Sequence, residues 1–304
     1  MSRPSVLAIC GPTAAGKSAV ALRIAEEWGA VLLSADAMQV YRGMNIGTAS
    51  PTAQERQRAP HIGVDVIDPN EQFSAAEFMA VAEPYLADAR PVVVVGGTAL
   101  YIRALIRGLA RTPAVNPELR AELSRRTDLH EALTAVDPEL AARLHPNDRM
   151  RLVRGLEVFE QGGVPLSTLQ RRHQATPDLL HATGVWLDRS NLQERIDERV
   201  LRMVETGLVS EVEALLQAGF TRDLKSMRTL GYRHLCDHLL DGLPIEVAIS
   251  RTQRDTRQFA RKQRTWRKHL GFAEARNEHM AAGRAAAQRV FGPNPRAHTG
   301  TIRP

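Results

Sequence analysis

Gly11-Pro12-Thr13-Ala14-Ala15-Gly16-Lys17-Ser18 fits the Gly-x-x-x-x-Gly-Lys-Ser/Thr phosphate loop at every fixed position. Glycines let successive backbone N–H groups turn inward as an anion nest, and a helix N-terminus adds partial positive charge. Lys17 then offers a point charge to phosphate, and the Ser18 hydroxyl suits Mg²⁺. The flanks agree with this chemistry: Val6 to Cys10 reads as a buried strand and Ala19 to Trp28 as a helix. A glycine-rich turn with an incidental Lys-Ser would not need that setting. The loop points to a di- or triphosphate without saying which one.

Ser34-Ala35-Asp36 puts a carboxylate just past a second predicted strand, Val31 to Ser34, on the same edge as the loop. A catalytic or metal-linked acid would sit there; a turn-forming Asp accounts for it about equally well. Met38 to Met44 add hydrogen-bonding and stacking groups. Gly96-Gly97-Thr98 follows Pro91 to Val95, a strand apolar on both faces and therefore central and parallel. Many phosphate-loop NTPases carry an Asp at that strand end. None stands here, which argues against a plain ATPase. Arg228 falls at a predicted loop-to-helix junction, with Gly231 permitting close backbone approach; the alternative is an ordinary surface Arg.

One charge run stands out: Arg251, Arg254, Arg257, Arg261, Lys262, Arg264, Arg267 and Lys268, with Asp255 its only acid. Spacings of three and four put Arg254, Arg257, Arg261, Arg264 and Lys268 on one stripe of a helix predicted from Pro244 to about Leu270. Like charges at i, i+4 cost a few tenths of a kcal/mol each. The stripe therefore implies a partner that offsets the repulsion, and phosphate backbone is the obvious one. Trp266, among these cations, could stack on a base; inward packing is the commoner outcome.

The elements that must position these groups alternate strand and helix through the first hundred residues. A weaker third strand is predicted at Val64 to Ile67, and Ser74 with Glu77 forms a capping box opening a helix to about Ala89. This is an α/β doubly wound core of the P-loop NTPase type, a parallel sheet flanked by helices. From Arg111 to about Thr183 strand signals vanish and Pro-punctuated helical stretches replace them, closing on Gln170-Arg171-Arg172-His173. Val185 to Asp188 returns a strand to the sheet, and helices follow over Asn191 to Glu205 and Val209 to Ala218. The organisation expected is a core of 1–110 with 184–290, a helical insertion of 111–183, and a flexible tail of 291–304.

With 304 residues and 43% apolar content the chain can bury one large core and a smaller one. No apolar run approaches the ~20 residues a bilayer requires. Cys10 and Cys236 make neither a disulfide framework nor a zinc site, so the cytosol is the expected compartment. Residues 1–110 hold 9 Lys/Arg against 10 Asp/Glu, a net of −1, and the remainder holds 31 against 24, a net of +7. A near-neutral half joined to a basic half fits a small polyphosphate on one and a polyanion on the other. An Arg-rich proteome would give the same totals.

These segments together resemble the tRNA dimethylallyltransferase (tRNA isopentenyltransferase) family. The matching pieces are the loop at 11–18, Ser-x-Asp-x-Met-Gln-Val-Tyr-Arg-Gly-Met at 34–44 with Ile46 to Ala49, and Gly-Gly-Thr-x-Leu-Tyr at 96–101. Asn147-Asp148 with Arg151 and Glu157, Gly231-Tyr232-Arg233, and Arg-Lys-Gln-Arg-Thr-Trp at 261–266 complete the set. The resemblance spans about residues 5–270. Ala15 and Ala37 stand where the family often has Ser, and Thr229 where Cys is frequent.

The resemblance implies transfer of a dimethylallyl group from dimethylallyl diphosphate to N6 of the adenosine 3′ to the anticodon, in tRNAs reading codons that start with U. It implies Asp36 as general base, Thr13, Lys17 and Arg228 as stabilisers of the leaving diphosphate, and Mg²⁺ on Ser18. The residues it puts against tRNA are Asp36, Ala37, Met38, Gln39, Thr98 and Arg120; Gln170, Arg171, Arg172, His173 and Gln174; and Arg228, Thr229, Leu230, Gly231, Tyr232 and Arg233. Arg261, Lys262, Arg264, Trp266 and Lys268 complete that set, with the insertion capping the anticodon loop and the enzyme acting as a monomer. An isopentenyltransferase acting on free AMP would give the insertion and the basic stripe nothing to hold. A kinase or RNA-stimulated NTPase would want the missing strand-end Asp.

Overall fold

The computed structural model describes residues 5–88 and 90–295. They form two compact units, one of residues up to Ile106 with those from Leu180 onward, the other Arg107–Leu179. Each boundary falls four residues before the one read from sequence. Of the tail expected from 291, residues 296–304 lie outside the described residues, as does Ala89.

The first unit is built on one parallel sheet: β1 (Ser5–Cys10), β2 (Val31–Ala35), β3 (His61–Ile62), β4 (Val92–Gly96), β5 (His181–Leu187) and β6 (Ala273–Ala275). Its order is β3-β2-β4-β1-β5-β6. β4 is central, pairing Val92–Gly96 with both β1 and β2. Period-2 alternation sends Leu7 and Ile9 of β1 into one apolar cluster and Val6, Ala8 and Cys10 into another, so both faces are covered by helices. β1 feeds α1 (Lys17–Trp28) toward β2, whereas the chain leaving β4 through α4 (Ala99–Arg107) returns on the other side as β5. That reversal puts the ligand crevice beyond the carboxyl ends of β1 and β4.

Between them lie α2 (Ala53–Arg58) and α3 (Ala75–Ala87). α3 starts with both capping-box hydrogen bonds of Ser74 and Glu77. The third strand is not Val64–Ile67 but His61–Ile62. Gly63 and Asp65 take positive φ, 78° and 55°, which an extended strand cannot hold. Ile67 keeps only a single bridge to Tyr41.

The second unit is helical: α5 (Pro117–Arg125), α6 (Leu129–Val136), α7 (Pro138–Ala141), α8 (Arg149–Gly162) and α9 (Leu166–Gln174). Leu123, Leu129, Leu133, Leu152 and Leu156 form its core. Two buried carboxylates brace it. Glu157 accepts from Asn116 N (2.9 Å), Arg120 (2.7 Å) and Arg154 (2.7 Å), and Asp137 accepts from Leu140 N (3.0 Å) and Ser167 N (2.8 Å).

The chain re-enters the first unit as β5 and continues through α10 (Leu192–Glu205), α11 (Leu208–Gln217), α12 (Tyr232–Asp241), α13 (Ile245–Thr265), α14 (Arg267–Leu270) and, after β6, α15 (His279–Phe291). The long helix expected to reach Leu270 ends at Thr265, with Trp266 as the joint before α14.

Candidate active site

The phosphate loop leaves β1 where space is least. A Cβ on Gly11 would lie 2.1 Å from the Leu187 carbonyl oxygen, so only glycine passes. Ala14 and Gly16 take φ of 62° and 95°, which turns the peptide planes. Side chains from distant elements hold the outward carbonyls: Arg195 Nε donates to Ala14 O (3.0 Å) and Arg189 Nε to Ala15 O (3.1 Å). Gln263 Oε1 accepts from Thr13 N (2.8 Å). The first-turn N–H groups of α1 have no intrahelical acceptors and stand ready for an anion.

Lys17 Nζ donates to Pro12 O (2.7 Å). Burial, and then the nearby Arg199 guanidinium, lower its pKa to about 8, while Asp36 opposes the shift. Burial pushes the Cys10 thiol beneath it up to about 12, so that sulfur stays neutral packing. Arg199 is half-buried and its pKa is lowered by burial, with Asp36 again the opposing charge. No carboxylate among the described residues lies within ion-pair distance of it. Lys17, Arg199 and Asp36 therefore form one electrostatic group assembled from α1, α10 and the end of β2.

Asp36 opens a turn tied on both sides. Its Oδ1 accepts from Met38 N (2.9 Å), Thr98 Oγ1 accepts from Ala37 N (3.1 Å), and Thr98 N donates to Ala35 O (3.1 Å). The Ser34 hydroxyl donates to Gln39 Oε1 (2.7 Å), and Gln39 Nε2 donates to Ala49 O (3.0 Å). Glu211 gathers the next segment, accepting from Asn45 N (2.9 Å), Ile46 N (2.8 Å) and the Tyr232 hydroxyl (2.7 Å).

A cavity of about 1060 Å³ opens beside the loop. Gly16, Lys17 and Ser18 line it together with Arg195, Arg199 and Arg202 of α10 and with Ile46, Arg56, His61 and Asp65. Lys17 and Arg199 thus face one cavity; Thr13, Asp36, Thr98 and Arg228 do not line it.

Several residues singled out in the sequence are placed otherwise. Arg228 is exposed and paired with Asp223 (3.1 Å). Tyr232 and Gly231 are buried, and the Tyr232 phenol is pushed above its usual range by burial and Glu211, so it packs rather than meets a macromolecule. Thr229 bonds Ser226 O, Leu230 is half-buried, and Arg233 pairs with Asp255. Met38 is half-buried.

The basic stripe is also partly neutralised, by the neighbouring Asp255 and by two acids remote in sequence. Arg254 pairs with Asp255 (2.8 Å), Arg257 with Asp197, and Arg264 grips Asp188 through two bonds (2.9 and 2.7 Å). The inference that five aligned cations require an external partner is therefore corrected. Among the described residues, Arg261, Lys262 and Lys268 are exposed without an acidic partner within ion-pair distance. Trp266 is half-buried, edge-on to His269. In the second unit Arg120 satisfies buried Glu157, Gln170 accepts from Arg143 (3.4 Å), Arg171 pairs with Glu139, and His173 bonds Gly108 O (3.2 Å). Arg172 and Gln174 are exposed.

Sequence reading missed Arg189, Arg195, Arg199 and Gln263. The first three lie where acids interleave and look like solvated surface. The one available signal was Arg195 and Arg199, four apart, flanking the buried Leu192, Ile196 and Val200.

The family model described as IPP transferase matches residues 39–270. The chain is 47% identical over 276 residues to tRNA dimethylallyltransferase 1 of Syntrophotalea carbinolica, covering 87% of this chain and 88% of the relative. It is 45% identical over 268 residues to the tRNA dimethylallyltransferase of Geobacter metallireducens, covering 84% and 87%. Among solved structures, a tRNA isopentenylpyrophosphate transferase from Bacillus halodurans superposes with a TM-score of 0.67 at 32% identity, covering 95% of this chain and 97% of that one. A eukaryotic dimethylallyltransferase acting on tRNA gives 0.79 at 26% identity, covering 92% and 77%. A parallel sheet with a phosphate loop, an acid at the end of β2 and relatives matched over most of their length lead to one assignment: this chain belongs to the tRNA dimethylallyltransferase (IPP transferase) family.

Proposed function

We propose that the chain transfers a dimethylallyl group from dimethylallyl diphosphate to N6 of the adenosine 3′ to a tRNA anticodon. The observation that carries this reading is the trio of Lys17, Arg199 and Asp36. Two cations line a cavity beside the phosphate loop, and the Asp36 charge favours the charged form of each. The cavity takes the isoprenoid and its diphosphate; the Asp36 side takes the adenine, which must leave its stack at a cost of a few kcal/mol.

In the transfer the allylic C1–O bond breaks, its electron pair leaving with diphosphate, and the N6–C1 bond forms. The amine proton passes to the Asp36 carboxylate. An exocyclic amine is a weak nucleophile, so most of the barrier lowering comes from fixed positive charge on the leaving oxygens: Lys17, Arg199 and the α1 N-terminus. The role first given to Arg228 in holding diphosphate passes to Arg199. Ser18 is exposed at the cavity edge and, with diphosphate oxygens and water, makes a donor set that suits Mg²⁺. Bound there, Mg²⁺ would neutralise diphosphate charge.

The tRNA meets exposed cations, Arg261, Lys262 and Lys268 on the first unit and Arg172 on the second. No helix among the described residues is long and apolar enough to cross a membrane. The cytosol, where tRNA is found, is the compartment that suits the enzyme, and a monomer is the form proposed. Labelled dimethylallyl diphosphate is incubated with unmodified tRNA, in parallel with AMP and with ATP alone. Labelled tRNA is expected; labelled AMP, or phosphate released from ATP, overturns the reading.

A further inference from the structure

We infer that Gln263 is a positioning residue for the transfer: its buried amide sets the spacing between the diphosphate loop and the turn that carries Asp36. The inference rests on the reaction proposed above. Gln263 lies in the most basic stretch of the chain, yet it alone among 261–265 is buried. Its Oε1 accepts from Thr13 N (2.8 Å) in the phosphate loop. Its Nε2 donates to Gly97 O (3.3 Å) in the turn after β4. That second turn continues to Thr98, which bonds Ala35 O and Ala37 N, the groups on either side of Asp36 (both 3.1 Å).

The path from electrophile side to base side is thus Thr13, Gln263, Gly97, Thr98, Asp36. It is short and made of neutral hydrogen bonds between side chains and backbone, so it fixes distance rather than charge. A carboxamide offers an acceptor and a donor in this reach; ionised Glu lacks the donor, and Met has no donor and only a weak thioether acceptor. Gly97 makes room for it, because a Cβ there would stand 2.2 Å from Gln263 Nε2. Both ends of the Gln263 amide are engaged with backbone, and the side chain is buried. Its effect must come through placement, and a misplacement of about 1 Å at the reacting atoms costs up to about 10²-fold.

The test compares wild type with Gln263→Met, which keeps the volume and deletes both bonds. Gly97→Ala is the second variant; it pushes the amide aside while leaving the residues of α13 unchanged. Steady-state kcat and KM for dimethylallyl diphosphate and tRNA are measured, with inorganic pyrophosphate affinity by calorimetry and the thermal midpoint as a check of folding. Expected is a fall in kcat of about 10- to 100-fold in both variants, with KM and pyrophosphate affinity within about threefold of wild type. If Gln263→Met does not fold, Gly97→Ala decides alone. A kcat within twofold of wild type overturns the inference, as does a loss carried by KM or by pyrophosphate affinity. If wild type transfers to tRNA, Asp36→Ala loses more than about 10²-fold, and Gln263→Met keeps its kcat, this inference alone fails. If wild type leaves tRNA unmodified, the reaction assignment itself has failed and this inference falls with it.

Discussion

α10 and α13 are both arginine-bearing helices packed against each other, and they use their charge in opposite ways. α13 shows a conspicuous run of cations, but Arg254, Arg257 and Arg264 are matched to Asp255, Asp197 and Asp188. α10 interleaves Glu194, Asp197 and Glu198 with its arginines and looks like any solvated helix. Yet Arg195 reaches a phosphate-loop carbonyl, and Arg199 lines the same cavity as Lys17. Density of charge along a helix therefore does not measure charge available to a ligand. What counts is whether the fold brings an acid to it. Unpaired positive charge in a partly buried site is strong toward diphosphate because little water competes.

The largest expected effect tests the α10 side. Arg199→Ala should lower kcat about 10²- to 10³-fold, the usual scale for removing one preorganised donor, with tRNA affinity unchanged. Arg228→Ala should stay within about threefold of wild type, since that side chain is exposed and paired with Asp223. If the two variants exchanged ranks, the assignment of the diphosphate contact to α10 would be wrong.

The next effect is in pH. Lys17 has a pKa lowered to about 8 in the free site, and bound diphosphate favours its charged form. Affinity for dimethylallyl diphosphate should therefore be flat below about pH 8. Above that it should weaken by up to about tenfold per pH unit, as binding comes to require proton uptake. Arg199 is a like charge that depresses Lys17, so Arg199→Ala should move the break to higher pH. Titration calorimetry across pH 7 to 10 measures both; a break that stays put in the variant would uncouple the two helices.

Smaller effects test α13. Replacing Arg261 and Lys262 by Ala should flatten the salt dependence of tRNA binding by about 0.7 in log–log slope per lost single-strand phosphate contact. Replacing Arg257 and Arg264 should leave that slope alone. In denaturant unfolding, Arg257→Ala should cost under about 1 kcal/mol as a partly exposed pair. Arg264→Ala should cost about 1–3 kcal/mol, because it strands the largely buried Asp188 carboxylate. A wild-type slope in the Arg261 and Lys262 double variant would return the whole stripe to a structural role.

The phosphate loop, β1, β4 and the α3 capping box were legible because each is written in a few neighbouring residues. Glycine permits a φ that others resist, valines alternate between two buried faces, and a Ser-x-x-Glu caps its own helix. β3 and β6 were not: two or three residues of edge strand carry no period, and Gly63 and Asp65 turn the chain where a strand was expected. Lys17, Ser18 and Asp36 were singled out from their local motifs, whereas Arg199 and Gln263, whose partners lie far away in sequence, were not.

By itself the chain's residue order determined an α/β sheet with an anion-binding loop, a carboxylate one strand away, and a basic second half. Those are properties of local backbone conformation and of composition. Tertiary structure alone decided which cations are free, which amide spans two turns, and which tyrosine is buried. Arg257 meets Asp197 across 60 residues, Arg264 meets Asp188 across 76, and Gln263 meets Thr13 across 250. The physical reason is that a polar group's strength depends on its desolvation and on its partner, and both are supplied by packing.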